Sequence, residues 1–166
     1  MPQAAPEELP PAQWGHFLAG LCAGEACFAI SWTGPDHRSC RCDFIVRMRA
    51  DEEPLLRRLQ SLTGVGTLRR HRARGSSRPV IQWRASALAD LLRLVAIFDR
   101  YPLRSRKARD YAVWREAVLL LAEPASPKRA AKLRALKERL HKVRAYRPRG
   151  GEGDGMSPAA QGRGEP

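Results

Sequence analysis

Apolar positions recur along this chain at two different spacings, and the switches between them mark its elements. From residue 12 to about 24, Trp14, Phe17, Leu18 and Leu21 fall within about 100° of arc on a helix, a stripe that predicts a buried face. Pro10 and Pro11 suit the start of that helix, where a missing N–H costs nothing. The spacing then changes to two. Phe28, Ile30 and Trp32 alternate with Ala29, Ser31 and Thr33, which predicts a half-buried strand over 26–33. Phe44, Val46 and Met48 alternate with Ile45, Arg47 and Arg49, which predicts a second over 42–50. Leu55, Leu56, Leu59 and Leu62 return to the helical period over 51–64, with Asp51 placed to cap and Gly64 to terminate. Strands are predicted at 66–72, with Leu68 opposed to Thr67, Arg69 and His71, and at 78–85, with Ile81 and Trp83 opposed to Gln82 and Arg84. "ARGSS" reads as the hairpin turn between them, and "GPDHRSCR" as the loop between the first two strands. Helices follow at 86–101, with Ser86 as cap, at 105–123, and at 128–146, where Leu133, Leu136, Leu140 and Val143 share one side.

This order predicts one α+β domain with additional C-terminal helices. The boundaries read as a flexible N-terminus over 1–11, a folded domain over 12–123, a basic helical segment over 124–146, and a Gly-, Pro- and Ser-rich disordered tail over 147–166.

Charge changes the picture. The chain carries a formal charge of +13 over 166 residues. Residues 1–35 hold no Lys or Arg, whereas residues 101–149 hold 15 basic residues against four acids. Such a basic middle points to a polyanion partner on one surface. Four strands that each bury one face leave Ser31, Ile45, Arg47, Arg49, Arg69, His71, Gln82 and Arg84 on the other. A sheet face rich in Arg cannot be core; it can lie on duplex DNA, with guanidinium forks reaching base edges. The cysteines, Cys22, Cys27, Cys40 and Cys42, fit no zinc module and read as thiols in a reducing compartment. No charged leader precedes the apolar run 17–30, which Glu25 interrupts and which is too short to span a bilayer. The expected location is therefore cytoplasmic, associated with the nucleoid, or organellar, with no secretion and no membrane.

The first helix has a second face, made of Ala12, His16, Ala19, Gly20 and Ala23. Small residues let a second helix approach backbone to backbone. The expected partner is the same helix of another copy across a two-fold axis, giving a homodimer. That axis brings two copies of Glu25 together at the helix ends. Like carboxylates so placed repel unless divalent cations lie between them. Oxygen ligands together with phosphate oxygens suit Mg²⁺ (or Mn²⁺), which can polarise a phosphate and activate water for in-line attack.

The stretch "LAGLCAGEACF" resembles the signature of the LAGLIDADG homing endonucleases. The likeness extends through "LTGVGTLRR" to "YPLRSRKARDY" and so spans residues 12–120. The resemblance implies an αββαββα fold with a four-stranded antiparallel, saddle-shaped sheet on double-stranded DNA. It also implies a single-motif homodimer and metal-dependent double-strand cleavage, in service of intron or intein mobility. Glu25 falls at the family's metal-binding acid, with Gly24 beside it as a second metal-site residue. Lys107 matches the basic residue kept after the "PL" segment, where a cation would orient water or offset charge on the phosphate, with Arg104 as the alternative catalytic cation and Arg106 as a DNA contact. Two positions depart from the pattern. The family's earlier acid, which usually supports the helix end, is Ala23 here, and the Gly after the metal acid is Ala26, expected to tighten a backbone turn. Met48 also stands near a position where some relatives carry a polar residue.

These departures define the alternative: a catalytically inactive DNA-binding regulator, or an RNA-splicing maturase with RNA as partner, on the same fold. A third class, an unrelated basic domain for ribosomal RNA, would need neither the small helix face nor a dimer.

Overall fold

The computed structural model describes residues 8–34, 39–72 and 78–145. The expected turns at "ARGSS" and within "GPDHRSCR", most of the N-terminus and the tail after 146 lie largely outside the described residues. The chain forms α1 (Ala12–Glu25), β1 (Ala26–Thr33), β2 (Ser39–Arg49), a turn of 3-10 helix (Ala50–Glu52), α2 (Glu53–Thr63), β3 (Thr67–His71), β4 (Val80–Ala85), α3 (Leu88–Arg100), α4 (Lys107–Leu121) and α5 (Pro127–Arg144). All strand pairs are antiparallel, in the order β1-β2-β4-β3.

One face of this sheet is core. Phe28, Phe44, Ile81 and Trp83 are all at or below 1% exposed, and α3 and α4 cover them with Phe98, Tyr111 and Trp114. Phe28 lies within 5.2–6.0 Å of the rings of Phe44, Phe98, Tyr111 and Trp114, a cluster of tilted and edge-on contacts. The indole N–H of Trp114 donates to the Asp43 carbonyl at 3.1 Å, tying α4 to β2. In the same helical layer α5 buries Leu133, Leu136 and Leu140, as its apolar spacing predicts. Its N-cap is Ser126, whose hydroxyl accepts from the Arg129 N–H at 3.0 Å.

Three local expectations need correction. Asp51 does not cap α2; it pairs with Arg49, and the chain enters α2 through the 3-10 turn and Pro54. Ser86 does not cap α3, because its hydroxyl donates to Asp43 at 2.7 Å instead. The largest correction concerns α1. Its buried residues are Gly15, Leu18, Ala19 and Cys22, while Phe17 is 44% exposed. Relative to the stripe read from large side chains, the helix is turned by about 100°. Small residues achieve the tight docking. A Cβ on Gly15 would stand 2.3 Å from two carbons of the Tyr101 ring, so only glycine admits that ring. Tyr101 is buried there and its hydroxyl donates to Pro10 O at 3.0 Å.

Candidate active site and basic sheet face

The end of α1 is where the acid stands. Glu25 is the last helical residue and is exposed; Ala26 is 2% exposed and begins β1 with φ −77° and ψ 144°. That is ordinary extended backbone, so alanine serves where glycine was expected, with no tightened turn. The helix end is tied down twice: the Ala26 N–H donates to Cys22 O, and the Ser105 hydroxyl donates to Ala23 O at 3.0 Å. Ser105 also accepts from the Lys107 N–H at 3.1 Å, so one hydroxyl holds the start of α4 against the end of α1.

Between these two helix ends lies an open cleft of ≈ 580 Å³, lined by Ala23, Gly24 and Cys27 on one wall and by Ser105, Arg106 and Lys107 on the other; the exposed Glu25 side chain is not part of that lining. Asp110 and Arg144 line its remaining side. Arg144, from the end of α5, donates to Asp110 at 2.9 Å and to Phe28 O. The structure thus brings Gly24 and Lys107 into one cleft, with Glu25 exposed outside its lining. Arg106 shares that cleft and reaches the Val143 and Ala145 carbonyls at 3.4 Å, away from the sheet face. Arg104 is exposed in the segment leading to it.

The Glu25 carboxylate and the Gly24 carbonyl at the end of α1 are oxygen donors, the type hard divalent cations take, beside a cleft wall that carries Arg106, Lys107 and Arg144. Among the described residues Glu25 makes no ion pair, and no group of three or more His, Cys, Asp or Glu side chains is placed to share a metal ion. One copy therefore offers a single carboxylate plus helix-end carbonyls, and further ligands would have to come from elsewhere.

The expected contact face of α1 is partly redrawn. Ala19 is 4% exposed and faces the chain's own core, Ala23 is half-buried, and His16 rests edge-on against Tyr101 at 5.1 Å. The exposed side carries Ala12, His16 and Gly20 from the expected set, together with Gln13, Phe17 and Gly24. A Cβ on Gly20 or Gly24 would meet nothing within 4 Å, so this strip is open.

The other sheet face is the one predicted to be polar. Register places Cys27, Ile45, Arg84 and Thr67 in one cross-strand row, and Arg47, Gln82 and Arg69 in the next. Ser31 lies opposite Arg41, and His71 opposite Val80 in the row of Arg49. Arg47, Arg49, Arg69 and His71 are exposed. Gln82, expected to project, is 7% exposed and accepts from Arg47 at 2.7 Å, so it positions that arginine. The residue that the sequence reading missed is Asp43. It is 3% exposed on this face and takes hydrogen bonds from Arg84 at 2.8 and 3.0 Å, Arg41 at 3.1 Å and Ser86 at 2.7 Å. Burial alone would raise its carboxyl. Hydrogen bonds from Ser86 and Arg84 and the charges of Arg84 and Arg41 outweigh that, and hold it below its ordinary value of 3.8. Its signal in the sequence was parity: Asp43 shares the even spacing of Ile45, Arg47 and Arg49.

The sequence profile of the LAGLIDADG endonucleases matches residues 18–118. The chain belongs to this family. The LAGLIDADG match begins at Leu18 in α1 and ends in α4, so it takes in the sheet, Glu25 and Lys107. A relative from Podospora anserina, an uncharacterized 50.9 kDa protein in ND4 intron 1, is 27% identical over 111 residues, which cover 63% of this chain and 24% of that protein. Among solved LAGLIDADG structures, the meganuclease I-AabMI bound to uncleaved DNA is 27% identical with a TM-score of 0.56, over 64% of this chain and 36% of that one. I-SmaMI, bound to uncleaved DNA target in the presence of calcium ions, shares the fold at a TM-score of 0.67 and 20% identity, over 80% and 45%. The homing endonuclease I-TnaI shares it at 0.65 and 17%, over 78% and 94%. The chain thus spans about a quarter of the curated relative and about a third of I-AabMI.

Proposed function

We propose that this LAGLIDADG chain is a site-specific double-stranded DNA endonuclease that works as a homodimer with a divalent metal ion. The observation that carries the reading is the position of Glu25. It stands exposed at the end of α1, next to Gly24, which lines the cleft with Lys107 and opens on the exposed strip of α1, and two residues before Cys27, which lies in a cross-strand row of the basic sheet face. The DNA complexes of I-AabMI and I-SmaMI support duplex DNA as the partner.

In this reading two α1 helices meet along Gly20 and Gly24, and each copy delivers Glu25 and the helix-end carbonyl of Gly24 to a shared centre. These donors fit Mg²⁺ or Mn²⁺, which when bound supplies Lewis-acid polarisation of the scissile phosphate and of water. The rest of the work belongs to the chain. In this reading the Lys107 ammonium, which lines the cleft, offsets charge growing on the phosphate during displacement, with Arg104 as the alternative. Arg106 and Arg144 add cationic charge to the cleft wall. Arg47, Arg49, Arg69 and His71 meet phosphates and base edges along the saddle.

The test is a cleavage selection on a randomised duplex library, with Mg²⁺ and with Ca²⁺ in its place, for wild type and Glu25→Ala. Cuts at one near-palindromic site, seen only with Mg²⁺ and intact Glu25, are the expected result. Enrichment of bound duplex with no cutting in any condition would replace the endonuclease by a DNA-binding regulator. A second reading, an RNA-splicing maturase, is favoured by the Podospora relative's place in an intron. Tighter binding to structured RNA than to any selected duplex would decide for it.

A further inference from the structure

A nearly inaccessible carboxylate is an odd thing to find on a face that would meet a polyanion. Asp43 adds negative charge there, yet it is surrounded by donors from three elements: Arg41 on its own strand, Arg84 on β4, and Ser86 just after β4. Its backbone carbonyl is engaged as well, by the Trp114 indole on the core side. Asp43 is therefore held from both faces of the sheet and cannot swing aside.

The geometry of the arginines follows from it. Arg84 donates through both Nε and one terminal nitrogen to the same Asp43 oxygen, at 3.0 and 2.8 Å. That contact uses one side of the guanidinium plane. The outer edge, with the two terminal nitrogens side by side, is left pointing away from the carboxylate. The Arg84 side chain is 35% exposed, which leaves room for this edge to meet a ligand. Arginine meets guanine through such a pair of parallel N–H donors on O6 and N7. A free arginine would have to lose several rotamers to do so; one already clamped has lost them in the unbound protein.

We propose that Asp43 is a positioning residue for base recognition, one that fixes the Arg84 fork for a guanine edge in the major groove. The inference rests on the duplex-DNA reading of this chain. Arg47, held by Gln82 in the neighbouring cross-strand row, is fixed independently and serves as an internal control.

The experiment is a binding selection on a randomised duplex library in Ca²⁺, which prevents cutting from depleting the best sites. Wild type, Asp43→Ala, Asp43→Asn and Arg84→Ala are compared by base preference at every position and by affinity for an unrelated duplex. Wild type should prefer guanine at the Arg84-dependent position by about tenfold or more, the scale of a bidentate base contact. Asp43→Ala should lose that preference as fully as Arg84→Ala, keep every other position, and bind unrelated duplex as well as wild type or better. Asp43→Asn retains an acceptor for Arg84 and Ser86 and should keep most of the preference. If Asp43→Ala lowers preference at all positions alike, Asp43 merely supports the fold and the proposal fails. Unchanged preference in a folded Asp43→Ala protein overturns it too. Absence of duplex binding by wild type itself would be a different failure, that of the DNA reading.

Discussion

Gly15 and Asp43 are the residues whose roles depend most on their neighbours. Gly15 is the point where Tyr101 enters α1, and an added methyl would overlap the ring. Overfilling a packed site typically costs about 1–3 kcal/mol. Gly15→Ala should lower the denaturation midpoint accordingly, whereas Gly20→Ala, open on all sides, should be neutral or stabilising as a monomer; paired urea titrations separate them. Asp43 predicts a pH effect of definite sign. Its carboxyl titrates below the ordinary value when folded, so its stabilisation is complete above that value and is lost as pH falls through the lowered one. Wild type should lose stability in acid more steeply than Asp43→Asn, as read by denaturant midpoints from neutral pH downward. Parallel curves would mean that the carboxylate and its arginines are not coupled. Asp43 was missed for a physical reason. Alternation assigns a residue to a face, but it does not say that an acid on a basic face will find three donors there.

At the scale of elements, the periodicities carried most of the fold. The period-two runs became β1, β2 and β4, and Gly64 ends α2 in the left-handed conformation, φ 65°, as a helix-terminating glycine does. What they missed was the roll of α1. A stripe of large side chains predicts a buried face only where the partner surface has room for them. Here Gly15, Ala19 and Cys22 allow close docking, and Phe17 is left outside beside Gly20 and Gly24. The consequence can be tested on the exposed strip. Gly20→Leu places a large side chain in open space within one copy but, in the proposed homodimer, against the backbone of a second helix across the two-fold. The variant should fold with an unchanged far-ultraviolet spectrum, run as a monomer in sedimentation, and lose cleavage. A dimer of normal affinity would move the contact away from this strip of α1.

For the whole molecule the question is which of its cations would meet a duplex. The sheet divides them. Arg47 and Arg69 lie on the open face, while α5, with Lys128 and Lys132, packs in the helical layer on the other side. Net charge alone would credit both groups, because a formal +13 makes the whole chain attractive to polyanions. Counterion release discriminates between them, since only cations that neutralise phosphates change the salt slope, by about −0.9 each on duplex DNA. Two copies engaging three phosphates apiece would give a slope of about −5. Arg47→Ala with Arg69→Ala should make the slope shallower by about two to four units in the dimer. Lys128→Ala with Lys132→Ala should leave it unchanged while weakening affinity only at low salt, where screening over about 10 Å is lost. If the α5 pair flattens the slope and the sheet pair does not, the duplex lies along the helical layer. The saddle would then be a scaffold, and Glu25 would face the wrong side of its substrate.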